Sequence, residues 1–288
     1  MVNDPHWIFR AGRRIPSWLD APLVDVVSRG FSWLAHEKHE AVLHNHRMVH
    51  SAMVRAGRAG HPPADSAGRA LRVQAANYLE MLRAPGMSRE VLRARVRMTG
   101  VEVLDEALAL GRGAVLIGLH MGDWESSGLA LAERGYRLAV VAGTQMNPAW
   151  SPHLRRFKES FGIQVVSPAD SYRTLYRALQ RGGVVALLVD GDLFRRSATV
   201  PFFGMPARFP LGPSLLSLRT GAPMVLGYSL RRDRWDVSFH VGGRLDPLPA
   251  RPEAATARLA RRLEQVLADH LDQWCATRRL WEGETAAP

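Results

Sequence analysis

Hydrophobic and polar positions divide the chain into two textures. From Ile15 to about Ala56, residues Trp18, Leu19, Leu23, Val26, Val27, Phe31 and Leu34 recur near the helical period between Asp20, Asp25 and Arg29, which predicts amphipathic helices. Two readings of these helices stand side by side: packed on the protein's own core, or lying on a membrane surface with Trp and Arg at the interface. Packing suits the segment as a whole, while Trp7, Trp18 and Trp33 are expected to include membrane contacts. The stretch "RAGRAGHPPADSAGR", Arg55 to Arg69, reads as a loop, after which helices resume through "ALRVQAANYLEMLR" and "SREVLRARVRMTG".

After Gly100 the texture changes. Apolar runs of strand length ("AVLIGL", "RLAVVAG", "IQVVS", "GVVALLVDG", "PMVLGYSL") alternate with helical stretches ("ESSGLALAERG", "PHLRRFKESFG", "SYRTLYRALQRGG", "PSLLSLRTG"). Buried strands with intervening helices predict an α/β fold: a largely parallel central sheet flanked by helices, with an N-terminal helical extension. Residues 1–99 are read as a helical, membrane-docking region and residues 100–288 as the α/β core. Functional sites in such sheets lie at the C-terminal ends of strands.

Charge adds a constraint on partners. Lys and Arg exceed Asp and Glu by 11, so the surface favours anions: lipid headgroups, phosphorylated cofactors, acidic carrier proteins or nucleic acid. Cys275 is the single cysteine, which excludes a disulfide framework, and its setting in "DQWCATRR" is that of an inert thiol. No apolar run reaches the ~18 residues of a membrane span, and the N-terminus has charges and prolines where a signal peptide has its apolar centre. Residues 36–50 carry five histidines, of which His39, His46 and His50 fall near one helix face. They lack a recognised ligand spacing, so a solvated polar face is the expectation rather than a metal site.

The corner "LHMGDWESSG", Leu119 to Gly128, holds the candidate chemistry. On one continuous helix, His120 and Glu125 would point roughly 140° apart. If His120 ends a strand, Gly122 turns the chain and Asp123 caps a helix, the Glu125 carboxylate can reach the imidazole and orient it as a general base. The competing reading is a satisfied core histidine beside a capping aspartate. No nucleophile elbow, phosphate loop, dinucleotide fingerprint or zinc-protease motif accompanies the pair. With a base and no nucleophile, the economical reaction is attack of a substrate hydroxyl on a thioester.

These residues resemble a known family. "HMGDWE" is similar to the H-x4-D/E motif of the lysophospholipid/glycerolipid acyltransferase superfamily, in the form found in the branch of the lipid A late (lauroyl/myristoyl) acyltransferases and the phosphatidylinositol mannoside acyltransferases. "NPAWSPHLRRFKESFGIQVV", "GGVVALLVDGDLFRRSATVPFFGMPARFPLGPSLLSLRTGAPMV" and "LDQWCATRRLW" resemble later segments of that branch in the right order, so the likeness spans roughly residues 100–282.

The resemblance implies transfer of a fatty acyl group from acyl carrier protein or a coenzyme A thioester to a hydroxyl of a glycolipid or lipid-linked saccharide. That transfer is placed at the cytoplasmic face of the membrane. No resident cofactor, metal or nucleic-acid partner is expected, and because the N-terminal anchor helix of many lipid A enzymes has no counterpart in this sequence, the expected attachment to an anionic lipid surface is peripheral. Carried over by position, His120 is the base and Glu125 its orienting acid, Lys158 is an anion-binding residue, and Arg208 lies near the substrate channel. Asp190 and Asp192 are either site residues or turn residues after a strand. Phe203 and Phe209, with Phe202 and Met205, are candidate walls for the acyl chain, with ordinary core as the other reading. Pro201 stands where the mannoside-modifying members often have an acid. The rival functions are an acyltransferase for a non-lipid acceptor, a thioesterase, and a binding protein without catalysis.

Overall fold

The computed structural model describes residues 6–58, 62–142, 150–191 and 196–281; Asp192 and the Asn147-Pro148 pair lie outside them. The N-terminal part is helical: α1 (His6–Arg14), α2 (Asp20–Leu34), α3 (His36–Arg55), α4 (Pro63–Arg83) and α5 (Arg89–Arg95). Helix α4 begins inside the stretch expected to be loop, because Pro63 sits at the first helical turn, where its missing N–H costs nothing and its φ is already helical.

The remaining elements are β1 (Val96–Thr99), α6 (Val101–Ala109), β2 (Ala114–Gly118), α7 (Trp124–Glu133), β3 (Leu138–Val141), α8 (Ser151–Ser160) and β4 (Gln164–Val166). They continue with α9 (Ser171–Gln180), β5 (Val184–Leu188), β6 (Ser197–Phe202), β7 (Met205–Pro210), α10 (Gly212–Thr220), β8 (Met224–Arg231), β9 (Val237–Arg244) and α11 (Pro252–His270). Seven strands form one sheet in the order β1-β9-β8-β2-β5-β3-β4, with β8–β9 the antiparallel pair and the other neighbours parallel. The largely parallel α/β architecture expected from the sequence is therefore present.

Alternation along each strand assigns its side chains to two faces. Val115, Ile117, Val185, Leu187 and Leu226 join one core with α9, α10, α11 and, from the N-terminal helices, Met48, Val49 and Met53 of α3. Ala114, Leu116, Val184 and Val225 face the other way, onto α6 and α7. The β6–β7 hairpin packs on the first of these faces, turning at Phe203 (φ 52°) and Gly204 (φ 75°), the two positive φ values that a tight two-residue hairpin turn requires.

The sheet starts at Val96, ahead of the boundary expected at residue 100, since β1 pairs with β9 along Val96↔Val237 to Thr99↔His240. The N-terminal helices are packed, as the first reading of their pattern had it, but not everywhere. Trp7, Trp18, Val26, Trp33 and Leu34 are exposed, Trp33 at 87% and Leu34 at 83%.

Candidate active site

The chain leaves β2 at Gly118 and turns sharply through His120, Met121 and Gly122 into α7. Gly122 has φ 57°, and a Cβ there would lie 2.1 Å from the Ser229 carbonyl oxygen, so only glycine fits this corner. Asp123 caps α7 by accepting a hydrogen bond from the Ser126 N–H at 3.0 Å.

That cap is itself held by buried cations. The Asp123 carboxylate pairs with Arg95 and, at 2.8 Å, with Arg231. Arg95 also meets Glu80, Glu80 meets Arg83, and Arg83 reaches Asp20 at the start of α2. Asn77 joins the set, donating to the Gly122 carbonyl at 2.7 Å and accepting from Arg231 at 2.9 Å. Each charge is paired, which is the condition for burying so many of them.

The imidazole of His120 meets a different carboxylate from the one expected. Its Nδ1 lies 2.8 Å from Asp190 Oδ1, and its backbone N–H donates to both Asp190 oxygens at 3.2 and 3.0 Å. Trp274 Nε1 donates to Asp190 Oδ2 at 2.8 Å. Glu125, expected to orient His120, instead pairs with Lys158 at 2.8 Å. The reason is geometric. Strands β2 and β5 are neighbours in the register Gly118↔Leu188, so the residues two places beyond each, His120 and Asp190, emerge side by side. Glu125 lies in the first turn of α7 and faces α8, where Lys158 is.

Burial opposes a charged imidazole, but the negative charge of Asp190, its hydrogen bond and the more distant charge of Glu125 outweigh it, so the His120 pKa is raised. Burial also opposes an ionised Asp190, yet the charge of His120 and the hydrogen bonds from His120 and Trp274 hold its pKa below the ordinary value. An ionised Asp190 accepts, so Nδ1 carries the proton in neutral His120 and Nε2 has the free lone pair. The Trp124 ring stands edge-on to the imidazole at 5.1 Å and 81°.

His120, Glu125 and Lys158 line one cavity of about 450 Å³. Its walls are Leu116 and Gly118 of β2, Val140 of β3, Ala186 and Leu188 of β5, and Gly128 and Leu129 of α7. The cavity thus lies on the α7 side of the sheet. From the Gly118–Leu188 level to the Leu138–Val184 level is four residues of strand, or ~13 Å of apolar depth.

Phe203, Arg208 and Phe209 are not among the cavity's lining residues. Phe202 and Phe209 are fully buried in the core on the opposite face of the sheet, where Phe202 stacks on Trp281 at 5.4 Å and 16°. Phe203 packs against that same core, and the Arg208 side chain bonds Ser197 Oγ at 3.0 Å. The hairpin residues expected to form the acyl wall therefore lie on the face of the sheet opposite the cavity under His120.

No cluster of metal-binding side chains occurs among the described residues. Within the histidine-rich segment, His46 is not part of a solvated face. It is fully buried, with Nε2 at 2.9 Å from the Trp274 carbonyl and Nδ1 at 2.8 Å from the Ser66 hydroxyl. Burial depresses its pKa to about 4, against a smaller raising effect of the Trp274 carbonyl bond.

The site is thus an α/β sheet whose strand ends carry a carboxylate-held histidine over a largely apolar cavity. The chain belongs to the bacterial lipid A biosynthesis acyltransferase family, whose model matches residues 67–282. It is similar to a phosphatidylinositol mannoside acyltransferase of Mycobacterium tuberculosis, 32% identical over 211 residues that cover 71% of this chain and 66% of the relative. It therefore spans just under two thirds of that relative's length. The phosphatidylinositol mannoside acyltransferase of Mycolicibacterium smegmatis is 28% identical over 231 residues, 77% of this chain and 75% of the relative. Among solved structures, the 1-acyl-sn-glycerophosphate (LPA) acyltransferase PlsC from Thermotoga maritima matches with TM-score 0.39 and 13% identity, over 69% of this chain and 82% of that one.

Proposed function

We propose that the protein is an O-acyltransferase that moves a fatty acyl chain from an acyl thioester to a hydroxyl of a glycolipid or lipid-linked saccharide. The observation that carries the reading is the His120–Asp190 pair at the mouth of the apolar cavity. Family membership and the likeness to enzymes named for a mannosylated phosphoinositide support the acyl group and the lipid-linked acceptor.

In this reading the acyl chain lies along the sheet under α7, with its thioester carbonyl beside His120. Nε2 takes the proton of the acceptor hydroxyl as that oxygen attacks the carbonyl carbon. The tetrahedral intermediate then expels the thiolate as the C–S bond breaks, and the thiolate takes the proton back from the imidazolium. Asp190 keeps the imidazole in the tautomer that can accept and stabilises its charged form. Lys158 and Lys38, both lining the cavity, are the cations that would meet a phosphorylated thioester donor, whether acyl carrier protein or coenzyme A. Asp190 is accordingly a positioning carboxylate and not a turn residue, while Glu125 tunes His120 by charge and holds Lys158.

The exposed Trp18, Trp33 and Leu34 of the N-terminal helices, set in a chain of net charge +11, support peripheral docking on anionic lipid at the cytoplasmic face. No described helix is long and apolar enough to cross a membrane.

The test is a thioester assay with and without a lipid-linked saccharide. His120→Ala is expected to lose transfer by about 10²–10⁴-fold with its folding unchanged. Near-wild-type turnover of that variant would remove the base from the mechanism, and thiol release at full rate without acceptor would make the protein a thioesterase.

A further inference from the structure

Asp190 can serve His120 only if its carboxylate plane is fixed. Oδ1 takes the imidazole N–H, and Oδ2 receives the Trp274 indole N–H at 2.8 Å. Without the indole, Oδ2 would keep only the His120 backbone N–H at 3.0 Å, which both oxygens already share. Trp274 is also tied to the His120 turn from the outside. Met121 and Trp274 form an antiparallel bridge, the Cys275 N–H donates to the His120 carbonyl at 2.9 Å, and the Gly122 N–H donates to the Gln273 carbonyl at 3.0 Å.

This segment is in turn gripped by α3. His46 stacks on the Trp274 ring at 6.0 Å and 19° while bonding its carbonyl. Asn45 bonds the Ala276 and Arg278 carbonyls at 3.1 and 2.7 Å and accepts from the Leu280 N–H at 3.1 Å. His44 Nε2 meets the Trp281 carbonyl at 3.1 Å. The run His44-Asn45-His46 is thus a clamp on residues 274–281.

We propose that Trp274 is a positioning residue of the His120–Asp190 pair: its indole N–H, held in place by the His44-Asn45-His46 clamp, fixes the Asp190 carboxylate so that one oxygen is reserved for the imidazole. This rests on the reading of His120 as base. The indole also takes up part of the carboxylate's negative charge, so its loss leaves more of that charge for the imidazolium. The other groups facing the pair are Glu125 with its partner Lys158, Lys38 on the cavity wall, the Cys275 thiol, and Arg278, whose Nε meets the Asp190 carbonyl at 3.2 Å.

The test uses Trp274→Phe and, because Trp274 is fully buried, a second protein carrying 3-benzothienylalanine at position 274, which keeps the bicyclic shape and lacks the N–H. Expected in both is a kcat about 10-fold lower at unchanged KM for the thioester. The acid limb of the kcat profile and the His120 imidazole titration, followed by ¹⁵N NMR, should both move to higher pH. An unchanged His120 titration and kcat in the folded benzothienyl protein would reduce Trp274 to core. His120→Ala is assayed beside them. If it stays active while the titration still moves at position 274, the base reading fails and the buttress stands.

Discussion

At the scale of single residues, the H-x4-E spacing was legible and its partner was not. Nothing near His120 in sequence points to Asp190, 70 positions away, because the pair is created by two parallel strands lying side by side. The legible signal was an acid two places past an apolar strand, and using it required knowing which strands are neighbours. Glu125 now has a distinguishable role. Its charge helps to raise the His120 pKa, so Glu125→Gln should lower that pKa and extend activity to more acidic pH. A pH–rate profile whose acid limb stays where it was would separate Glu125 from His120 altogether.

His46 gives a stability prediction with a definite sign. Its folded pKa of about 4 lies below the ordinary 6.5, so its neutral form is the one that folds. The stability tied to that neutral form is fully present above pH 6.5 and is lost as pH falls from there towards 4. Complete loss amounts to about 3 kcal/mol. Urea midpoints should fall between pH 7.5 and 5 in the wild type and fall less in His46→Asn, which has no proton to gain.

At the scale of elements, β2, β3, β5 and β8 were readable because each is an apolar run buried on both faces of a covered sheet. Strand β1 was not: its four residues follow directly on a basic helix, alternate in burial, and become a strand only by pairing with β9, some 140 positions later. The β6–β7 hairpin was read for its aromatic residues, but sequence does not say which face of a sheet a hairpin will cover. Helix α7 supplies the corresponding test of the cavity. A Cβ at Gly128 would meet nothing within 4 Å, and Gly128 lines the cavity, so Gly128→Leu should fit without strain. Helix stability should rise by up to about 1 kcal/mol, since glycine is a poor helix former. The preferred donor should shift to shorter acyl chains, whereas Phe209→Leu should lower stability and leave the chain-length profile alone. Competition assays with donors of graded length check both.

At the scale of the whole molecule, the N-terminal helices are both part of the core and the bearers of an exposed apolar rim. Trp18 at 75% exposure and Trp33 at 87% are costly in water and suited to a lipid interface. Binding to vesicles of anionic phospholipid should weaken with salt, because each basic residue near such a surface contributes ~1 kcal/mol that ions screen. The double variant Trp18→Ala with Trp33→Ala should bind more weakly at any salt concentration while keeping its thermal midpoint. Flotation assays distinguish the two effects, and equal flotation of the variant would move the docking face elsewhere.

The strap formed by residues 274–281 also orders events in time. A polypeptide is made from its N-terminus, so α3, β2 and β5 exist on the ribosome before Trp274 has been joined to the chain. A nascent chain stopped at Gln273 has His120, Asp190 and every described strand of the sheet, but neither the indole that bonds the Asp190 carboxylate nor the Cys275 N–H that bonds the His120 carbonyl. On the proposed reading, competence for the reaction therefore cannot precede the synthesis of residues 274–281, whose strap must be made before it can close into the His44-Asn45-His46 clamp.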